Sequence, residues 1–199
     1  VHMLPQRELA RTLFPVGHLT KAEVRRRAEA AGLRTATKPD SQDVCFITHT
    51  GGRTQFLGDR IAFRRADVVD TSGTRVGTVD AVELVTVGQR RGVGLPGGGP
   101  KRYVVDVDPD AGRVVVGDDA DLHVAEVRVR DLVWPAGPVT GSVLVQCSAH
   151  GATRPGTASA DGDDVVVRWH EPQRRVAPGQ TVVFYDLTDT HVLGGGIAT

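Results

Sequence analysis

The stretch Val165-Val166-Val167-Arg168-Trp169 carries the pattern that decides the fold. Val165, Val167 and Trp169 alternate with Val166 and Arg168, which is the period of a half-buried β-strand. Similar β-branched runs recur after Cys45, separated by Gly, Pro or Asp. Many short strands at near-regular spacing favour barrels or small sandwiches. The candidate strands are residues 68–69, 75–87, 102–107, 113–116, 124–133, 142–150, 157–160, 165–169, 181–186 and 191–197.

The first fifty residues differ from the rest because they have a helical texture. Residues 6–14 form a short amphipathic pattern that Pro15 and Gly17 end. Thr20-Lys-Ala-Glu23 is a capping box, which predicts a second helix that Gly32 closes. A break near residues 118–123 divides a middle β-rich unit from a C-terminal one. The sequence therefore predicts a mainly β protein of α+β class that begins with helices.

Composition excludes several classes of protein. The 199 residues carry 24 basic and 24 acidic side chains, so a uniformly basic nucleic-acid binder is excluded, while a local basic patch is not. Residues 1–50 have eight basic and five acidic groups, which places the positive excess at the front. Twenty-one of the basic residues are Arg, and codon bias explains this better than phosphate binding does. Neither a membrane-length apolar run nor a basic-then-apolar leader is evident, and two cysteines make no disulfide framework. We therefore expect a cytoplasmic protein.

Cys45 follows a polar turn and opens an apolar run in Lys38-Pro-Asp-Ser-Gln-Asp-Val-Cys-Phe-Ile47. A thiolate is the useful nucleophile and sulfur carrier, and positive charge such as that of Lys38 lowers the thiol pKa. Asp40 and Ser41 would form the supporting turn. From spacing alone, the alternative that Cys45 is a small core hydrophobe is favoured.

Two further segments offer polar groups to a ligand. Gln89, Arg90 and Arg91 lie among glycines, where amides and guanidiniums can approach phosphates or bases, although from sequence alone a solvated arginine hairpin is favoured. Arg174, Arg175 and Gln180 could line a polar surface, but from sequence alone a plain Pro-Gly turn that leads into a strand is favoured. The seven histidines show no metal-ligand spacing with either cysteine, so we expect no metal site.

Several motifs occur in order and at matching spacings, and together they resemble one family. They are Leu13-Phe-Pro-Val-Gly17, Thr20-Lys-x-x-Val-Arg25, Lys38-x-Asp-Ser-Gln-x-x-Cys-Phe-Ile47, Thr86-Val-Gly-Gln-Arg-Arg-Gly92 and Val192-Leu-Gly-Gly-Gly-Ile197. The set resembles the bacterial tRNA-uridine 2-sulfurtransferases, or tRNA 2-thiouridylases. The resemblance implies three regions: residues 1–52 as the tail of an α/β adenylating domain, residues 53–120 as a β-rich central domain, and residues 121–199 as a C-terminal antiparallel β-barrel. The family's ATP-pyrophosphatase loop, Ser-Gly-Gly-Val-Asp-Ser, and its first catalytic cysteine have no match in this sequence.

The resemblance also implies a reaction and its partners. ATP, with Mg²⁺, adenylates the wobble uridine of tRNAs for Lys, Glu and Gln, and a persulfide on Cys45 delivers sulfur to C2. The sulfur comes from a persulfide donor or relay protein, and a disulfide with the other family cysteine completes the exchange. Because this sequence has no phosphate loop, we expect the 199 residues alone to be inactive.

We expect tRNA contacts from several residues: Lys38, Gln89, Arg90, Arg91, Gln146, Cys147, Arg174, Arg175 and Gln180. For the Gly-Gln-Arg-Arg-Gly loop, the Gln146-Cys147 position and Gln180, this role is what the resemblance implies. Gln146-Cys147 replaces an Arg-Tyr pair of the family, which weakens or alters that contact. A non-catalytic tRNA-binding module is the main alternative. A thiol redox protein is disfavoured because no resolving cysteine is near Cys45.

Overall fold

The computed structural model describes residues 2–39, 52–95 and 99–199. The chain divides into two compact units, one of Ala10–Ala62 and one of Val1–Leu9 with Phe63–Thr199. The helices are α1 (Gln6–Leu9), α2 (Lys21–Ala30) and α3 (Gly52–Gly58). Helix α1 is shorter than the predicted residues 6–14, and α3 was not predicted at all. The longest described helix therefore has 10 residues, and none in the described part of the chain is long and apolar enough to cross a membrane.

Helix α2 begins at the predicted cap, but only half of the capping box forms. The Thr20 hydroxyl accepts a hydrogen bond from the Glu23 N–H at 3.3 Å. The Glu23 carboxylate does not reach back; it pairs with Arg26 and, at 2.9 Å, with Arg27, one turn further along. These ion pairs lower the pKa of Glu23 through their hydrogen bonds, that from Arg27 first. Gly32, at φ 68°, ends the helix as predicted.

The central sheet contains four strands in the order β2-β1-β4-β3. They are β1 (Ala66–Asp70), β2 (Arg75–Val79), β3 (Tyr103–Asp108) and β4 (Arg113–Gly117). β1 and β4 are parallel, whereas the other neighbours are antiparallel. Val68, Val104, Val114 and Val116 are fully buried in its core. The predicted strand 75–87 is too long, since a 3-10 turn over Val82–Leu84 replaces its second half.

The C-terminal strands close into a barrel in the order β10-β5-β8-β7-β6-β9. Their bounds are β5 (His123–Val133), β6 (Gly141–Gln146), β7 (Arg154–Asp161), β8 (Asp164–Arg174), β9 (Thr181–Tyr185) and β10 (Val192–Ala198). All pairings are antiparallel. Because the barrel is closed, it has no free sheet edge. Phe184 lies at the centre of the barrel core, with its ring stacked on Trp134 at 5.2 Å. The alternation at residues 165–169 is the inward face of β8, with Val165, Val167 and Trp169 all buried.

The three glycines before Ile197 are needed because β10 lies against its neighbours at very short range. A Cβ on Gly194 would lie 2.3 Å from the Trp134 ring. A Cβ on Gly196 would lie 2.5 Å from the Arg130 carbonyl oxygen. The glycine run is therefore a packing requirement of the barrel.

The predicted fold class is confirmed: the chain is mainly β, with a closed antiparallel barrel, a mixed sheet and few helices. The domain boundaries expected after residues 52 and 120 stay a prediction.

Candidate nucleic-acid interface

The predicted sulfur-carrying segment is only partly described. Lys38 is exposed and belongs to the Ala10–Ala62 unit, where its carbonyl oxygen accepts a hydrogen bond from Arg25 at 3.3 Å. Cys45, Asp40 and Ser41 lie outside the described residues. Their roles stay a prediction.

The loop that carries Gln89, Arg90 and Arg91 is anchored at its base on β3. The Gly88 N–H donates to the Val104 carbonyl at 2.7 Å, and the Val104 N–H donates to the Gln89 carbonyl at 2.9 Å. Gly88 has a φ of 85°, so two loop residues oppose one residue of β3 in the manner of a G1 bulge. The bulge requires glycine, which explains the first glycine of the Gly-Gln-Arg-Arg-Gly motif.

The same loop is anchored at its far end on β2. Val93 is buried in the core of the central sheet. Gly94, at φ 68°, passes so close to β2 that a Cβ there would lie 1.8 Å from the Thr78 carbonyl oxygen. Arg90 and Arg91 are therefore presented between two fixed points.

Gln89 braces this loop from inside, whereas the two arginines project from it. The Gln89 Oε1 accepts a hydrogen bond from the Thr86 N–H at 3.1 Å, and its Nε2 donates to the Arg91 carbonyl at 2.8 Å. Gln89 is half-buried, while Arg90 and Arg91 are exposed. Neither guanidinium forms a hydrogen bond or ion pair with a described residue. The arginines are thus available to an anion, and Gln89 holds their backbone.

Arg174 and Arg175, at the end of β8, face carboxylates of the central region. The Arg174 guanidinium pairs with Asp119 and lies over the Tyr103 ring, 5.6 Å from its centroid. The Arg175 Nη1 donates to an Asp106 carboxylate oxygen at 3.1 Å. These contacts join the barrel to the central sheet, and a phosphate would have to compete with both carboxylates. Their role in RNA contact stays a prediction.

A cleft of about 610 Å³ lies beside the Arg175–Asp106 pair. Thr86 and Val87, from the base of the arginine loop, line one side, and Val124 and other barrel residues line the other. Its walls are mainly Val and Pro side chains, with charged groups at intervals.

Gln146, Cys147 and Gln180 come together in one pocket of about 380 Å³ on the barrel. The pairing of β6 with β9 places Gln146 opposite Val183, three residues from Gln180. The remaining lining residues are His2, Ser148, Ala149, Thr181, Val183, Tyr185 and Val192. The polar ones among these are His2, Ser148, Thr181 and Tyr185. They were missed as site residues, because only the fold reveals that they lie close together.

Hydrogen bonds fix the orientation of polar groups in this pocket. The Gln146 Nε2 donates to the Gly151 carbonyl at 2.8 Å, and the Tyr185 hydroxyl donates to the Gln146 Oε1 at 3.1 Å. The His2 Nε2 is buried and has no hydrogen-bond partner among the described residues, and burial lowers the pKa of His2. The pocket combines hydrogen-bonding groups with an apolar wall.

Cys147 has the properties of a packing residue. Its side chain is half-buried against the barrel core, and burial raises the pKa of its thiol to about 11. A protonated thiol is a poor nucleophile and a poor metal ligand. In the described part of the chain no three His, Cys, Asp or Glu side chains are grouped as metal ligands.

Three family models match successive parts of the chain. The tRNA methyl transferase HUP domain matches residues 1–49, and the tRNA methyl transferase PRC-barrel domain matches residues 54–118. The aminomethyltransferase beta-barrel domain matches residues 124–198, the region of the closed barrel.

Curated relatives match over nearly the whole chain. The tRNA-specific 2-thiouridylase MnmA of Mycobacterium ulcerans is 42% identical over 205 residues, which cover 99% of this chain and 56% of that protein. The proteins of the same name from Mycobacterium avium and Mycobacterium tuberculosis are each 42% identical over 202 residues, and the matches cover 56% and 54% of those proteins. The chain thus spans about half the length of the curated relatives it matches. With three successive domain models and this identity, the chain belongs to the tRNA 2-thiouridylase family.

Proposed function

We propose that this chain is the sulfur-carrying and tRNA-binding part of a tRNA 2-thiouridylase. The observation that carries the proposal is the 42% identity, over 99% of the chain, to a protein named tRNA-specific 2-thiouridylase. The product is 2-thiouridine at the wobble position of tRNAs for Lys, Glu and Gln, as the resemblance to the family implies.

Cys45 holds the transferred sulfur as a persulfide, and the turn that the sequence predicts at Asp40 and Ser41 would support it. The terminal sulfur attacks C2 of the adenylated uridine, the C2–oxygen bond breaks and AMP leaves. A second cysteine of the whole enzyme then attacks the Cys45 sulfur, which releases the thiolated base and leaves a disulfide. A thiolate is required at both steps because the neutral thiol is a weak nucleophile. Cys147, whose thiol is protonated at neutral pH, is unsuited to the second step.

Two surfaces of the Phe63–Thr199 region support tRNA binding. Arg90 and Arg91 offer unpaired guanidiniums on an anchored loop, which suits phosphate oxygens. The pocket with Gln146, Cys147 and Gln180 offers amide groups and an apolar wall, which suit a base or ribose. Lys38 would add a contact near the sulfur-carrying segment.

ATP with Mg²⁺ and a persulfide donor or relay protein belong to the reaction of the whole enzyme, in the cytoplasm. The sequence has no glycine-rich phosphate loop, and the described residues have no grouped metal ligands. ATP therefore does not fit these residues, and no ATP step is assigned to them.

The second candidate is a tRNA-binding module without chemistry. A chimera tests both candidates: the 199 residues replace the matching part of the Mycobacterium ulcerans relative. The chimera should form 2-thiouridine in the presence of ATP, a persulfide donor and tRNA, and the 199-residue chain alone should not. Cys45→Ser should abolish the product and leave tRNA binding unchanged, because a hydroxyl cannot hold a persulfide.

Cys147→Ser in the same chimera, assayed at saturating tRNA, is the matched control and should still form 2-thiouridine, because Cys147 is proposed to contact tRNA but not to carry sulfur. A Cys45→Ser chimera that still makes 2-thiouridine would refute the sulfur-carrying role. A chimera that binds tRNA but makes no product would favour the binding module.

A further inference from the structure

Most cations of the Val1–Leu9 and Phe63–Thr199 unit are neutralised by carboxylates. Within its described residues, every Arg or Lys has a carboxylate oxygen within 4.0 Å except Arg90, Arg91, Lys101, Arg102 and Arg154. A paired guanidinium presents little net charge to a distant anion. Within this unit, the unpaired cations therefore decide where an anion is attracted.

Four of these five cations belong to adjoining segments. The hydrogen bonds of Gly88 and Gln89 to Val104 hold the arginine loop against the start of β3. Lys101 and Arg102 are the two residues directly before β3. Arg90, Arg91 and Lys101 are exposed, and Arg102 is half-buried.

We propose that Arg90, Arg91, Lys101 and Arg102 form one RNA-binding surface, here called the β3 cationic surface, which contacts consecutive phosphates. The inference rests on the proposed function for the identity of the RNA as tRNA. It adds Lys101 and Arg102, to which neither the sequence motifs nor the pocket assigns a role.

Like charges held together without partners destabilise a folded protein, so an anion should offset their repulsion. One carboxylate lies near these cations: the charge of Arg102 contributes to lowering the pKa of Asp70. The larger causes of that shift are hydrogen bonds from Ser72 and Thr74 within the Asp70 turn. Asp70 therefore stays ionised and offsets part of the charge of Arg102, but it lies beyond the 4.0 Å of an ion pair with any of the four cations.

The proposed function favours a phosphate backbone over an acidic protein segment as the partner of this surface. The bulge at Gly88 and the close approach of Gly94 to Thr78 fix the two ends of the loop backbone, which keeps Arg90 and Arg91 beside β3. Three of the four cations are guanidiniums, which bind phosphate oxygens bidentately.

The experiment is a salt titration of tRNA binding by the 199-residue chain. Lys101→Gln/Arg102→Gln removes two charges from the β3 cationic surface. The matched control, Arg75→Gln/Arg113→Gln, removes two exposed arginines of the same sheet, which pair with Asp67 at 3.0 Å and Asp108 at 3.7 Å. Both variants change the net charge equally.

Each phosphate contact contributes about 0.7–0.9 to the slope of log K against log salt. The Lys101/Arg102 variant should therefore have a slope shallower by about 1.4–1.8. Between 1 M and 0.1 M salt this corresponds to about 25- to 60-fold weaker binding at the lower salt, with convergence at the higher. The control should keep the wild-type slope.

An unchanged slope in the Lys101/Arg102 variant, or an equal loss in the control, would overturn the inference while leaving tRNA binding intact. Absence of salt-dependent tRNA binding by the wild-type chain would instead overturn tRNA binding as part of the proposed function. Polyglutamate that displaces tRNA at equal charge concentration would show a surface for acidic proteins and also overturn the inference. Lys101→Arg, which keeps the charge, should retain the slope, and equal thermal midpoints confirm that all variants are folded.

Discussion

Cys147 should react with alkylating agents far more slowly than an ordinary cysteine. Burial raises the pKa of its thiol from 9.0 to about 11. At pH 8 the thiolate fraction is then about 0.1%, against about 10% for an unshifted thiol. The thiolate is the reactive species, so iodoacetamide should modify Cys147 about 100-fold more slowly than a free thiol at this pH.

The assay is a time course of iodoacetamide labelling followed by mass spectrometry of the peptide that contains Cys147. The Cys45→Ser variant is used so that one thiol remains in the chain. Labelling should accelerate about tenfold per pH unit between pH 8 and pH 10, because each unit raises the thiolate fraction tenfold below the pKa. The same chain in denaturant serves as the control and should react at the rate of a free thiol.

Labelling of folded Cys147 at the free-thiol rate, with a pH profile centred near 8.5–9, would refute the reasoning. It would show that the barrel does not shield the thiol, and burial would no longer count against Cys147 as the second cysteine of sulfur transfer. The result thus bears directly on the proposed division of roles between the two cysteines.

Three further predictions concern Gln89 in the arginine loop, the Arg175–Asp106 pair between barrel and central sheet, and the turn at Asp186. Gln89→Ala should weaken tRNA binding a few-fold without changing the salt slope, since it removes a brace and no charge; a changed slope would contradict this. Arg175→Asp should lower the thermal midpoint, and adding Asp106→Arg should restore it. Each change in the free energy of unfolding should be ~0.2–1 kcal/mol, as for other exposed ion pairs. No restoration would mean that this pair does not hold the barrel against the central sheet. Hydrogen bonds, first from the Thr188 hydroxyl, hold the pKa of Asp186 below its usual range, so its ionised form stabilises the fold above about pH 4 and this contribution is lost as the pH falls. Asp186→Asn should therefore lower the thermal midpoint at pH 7 more than at pH 3, and an equal loss at both would refute the linkage.

The sequence predicted the strands better than their ends. Alternation located β8, and turn residues located its neighbours, because burial on one face imposes period two. The prediction failed at residues 80–87, where β-branched residues continue but the Val82 N–H donates to the Arg64 carbonyl at 2.9 Å and a 3-10 turn forms. A local pattern does not contain that tertiary hydrogen bond.

The pocket was predictable only in part. Gln146 and Gln180 were each singled out, but their proximity depends on the pairing of β6 with β9. Tyr185 has no local signal of function, since its hydroxyl matters only through Gln146, 39 residues away.

Charge pairing explains why a count of arginines says little about RNA binding here. Arg174 and Asp119 are 55 residues apart in sequence, and Arg175 and Asp106 are 69 apart, so neither pair is visible as a local charge pattern. By contrast, Lys101-Arg102 has no motif in the sequence that marks it as a binding site. Its proximity to the arginine loop follows only from the hydrogen bonds between β3 and that loop. A phosphate that took Arg175 from Asp106 would leave a carboxylate close to the RNA, whereas no cation of the β3 cationic surface has a described carboxylate oxygen within 4.0 Å. Affinity for a polyanion should therefore follow the unpaired cations, not the arginine-rich segments.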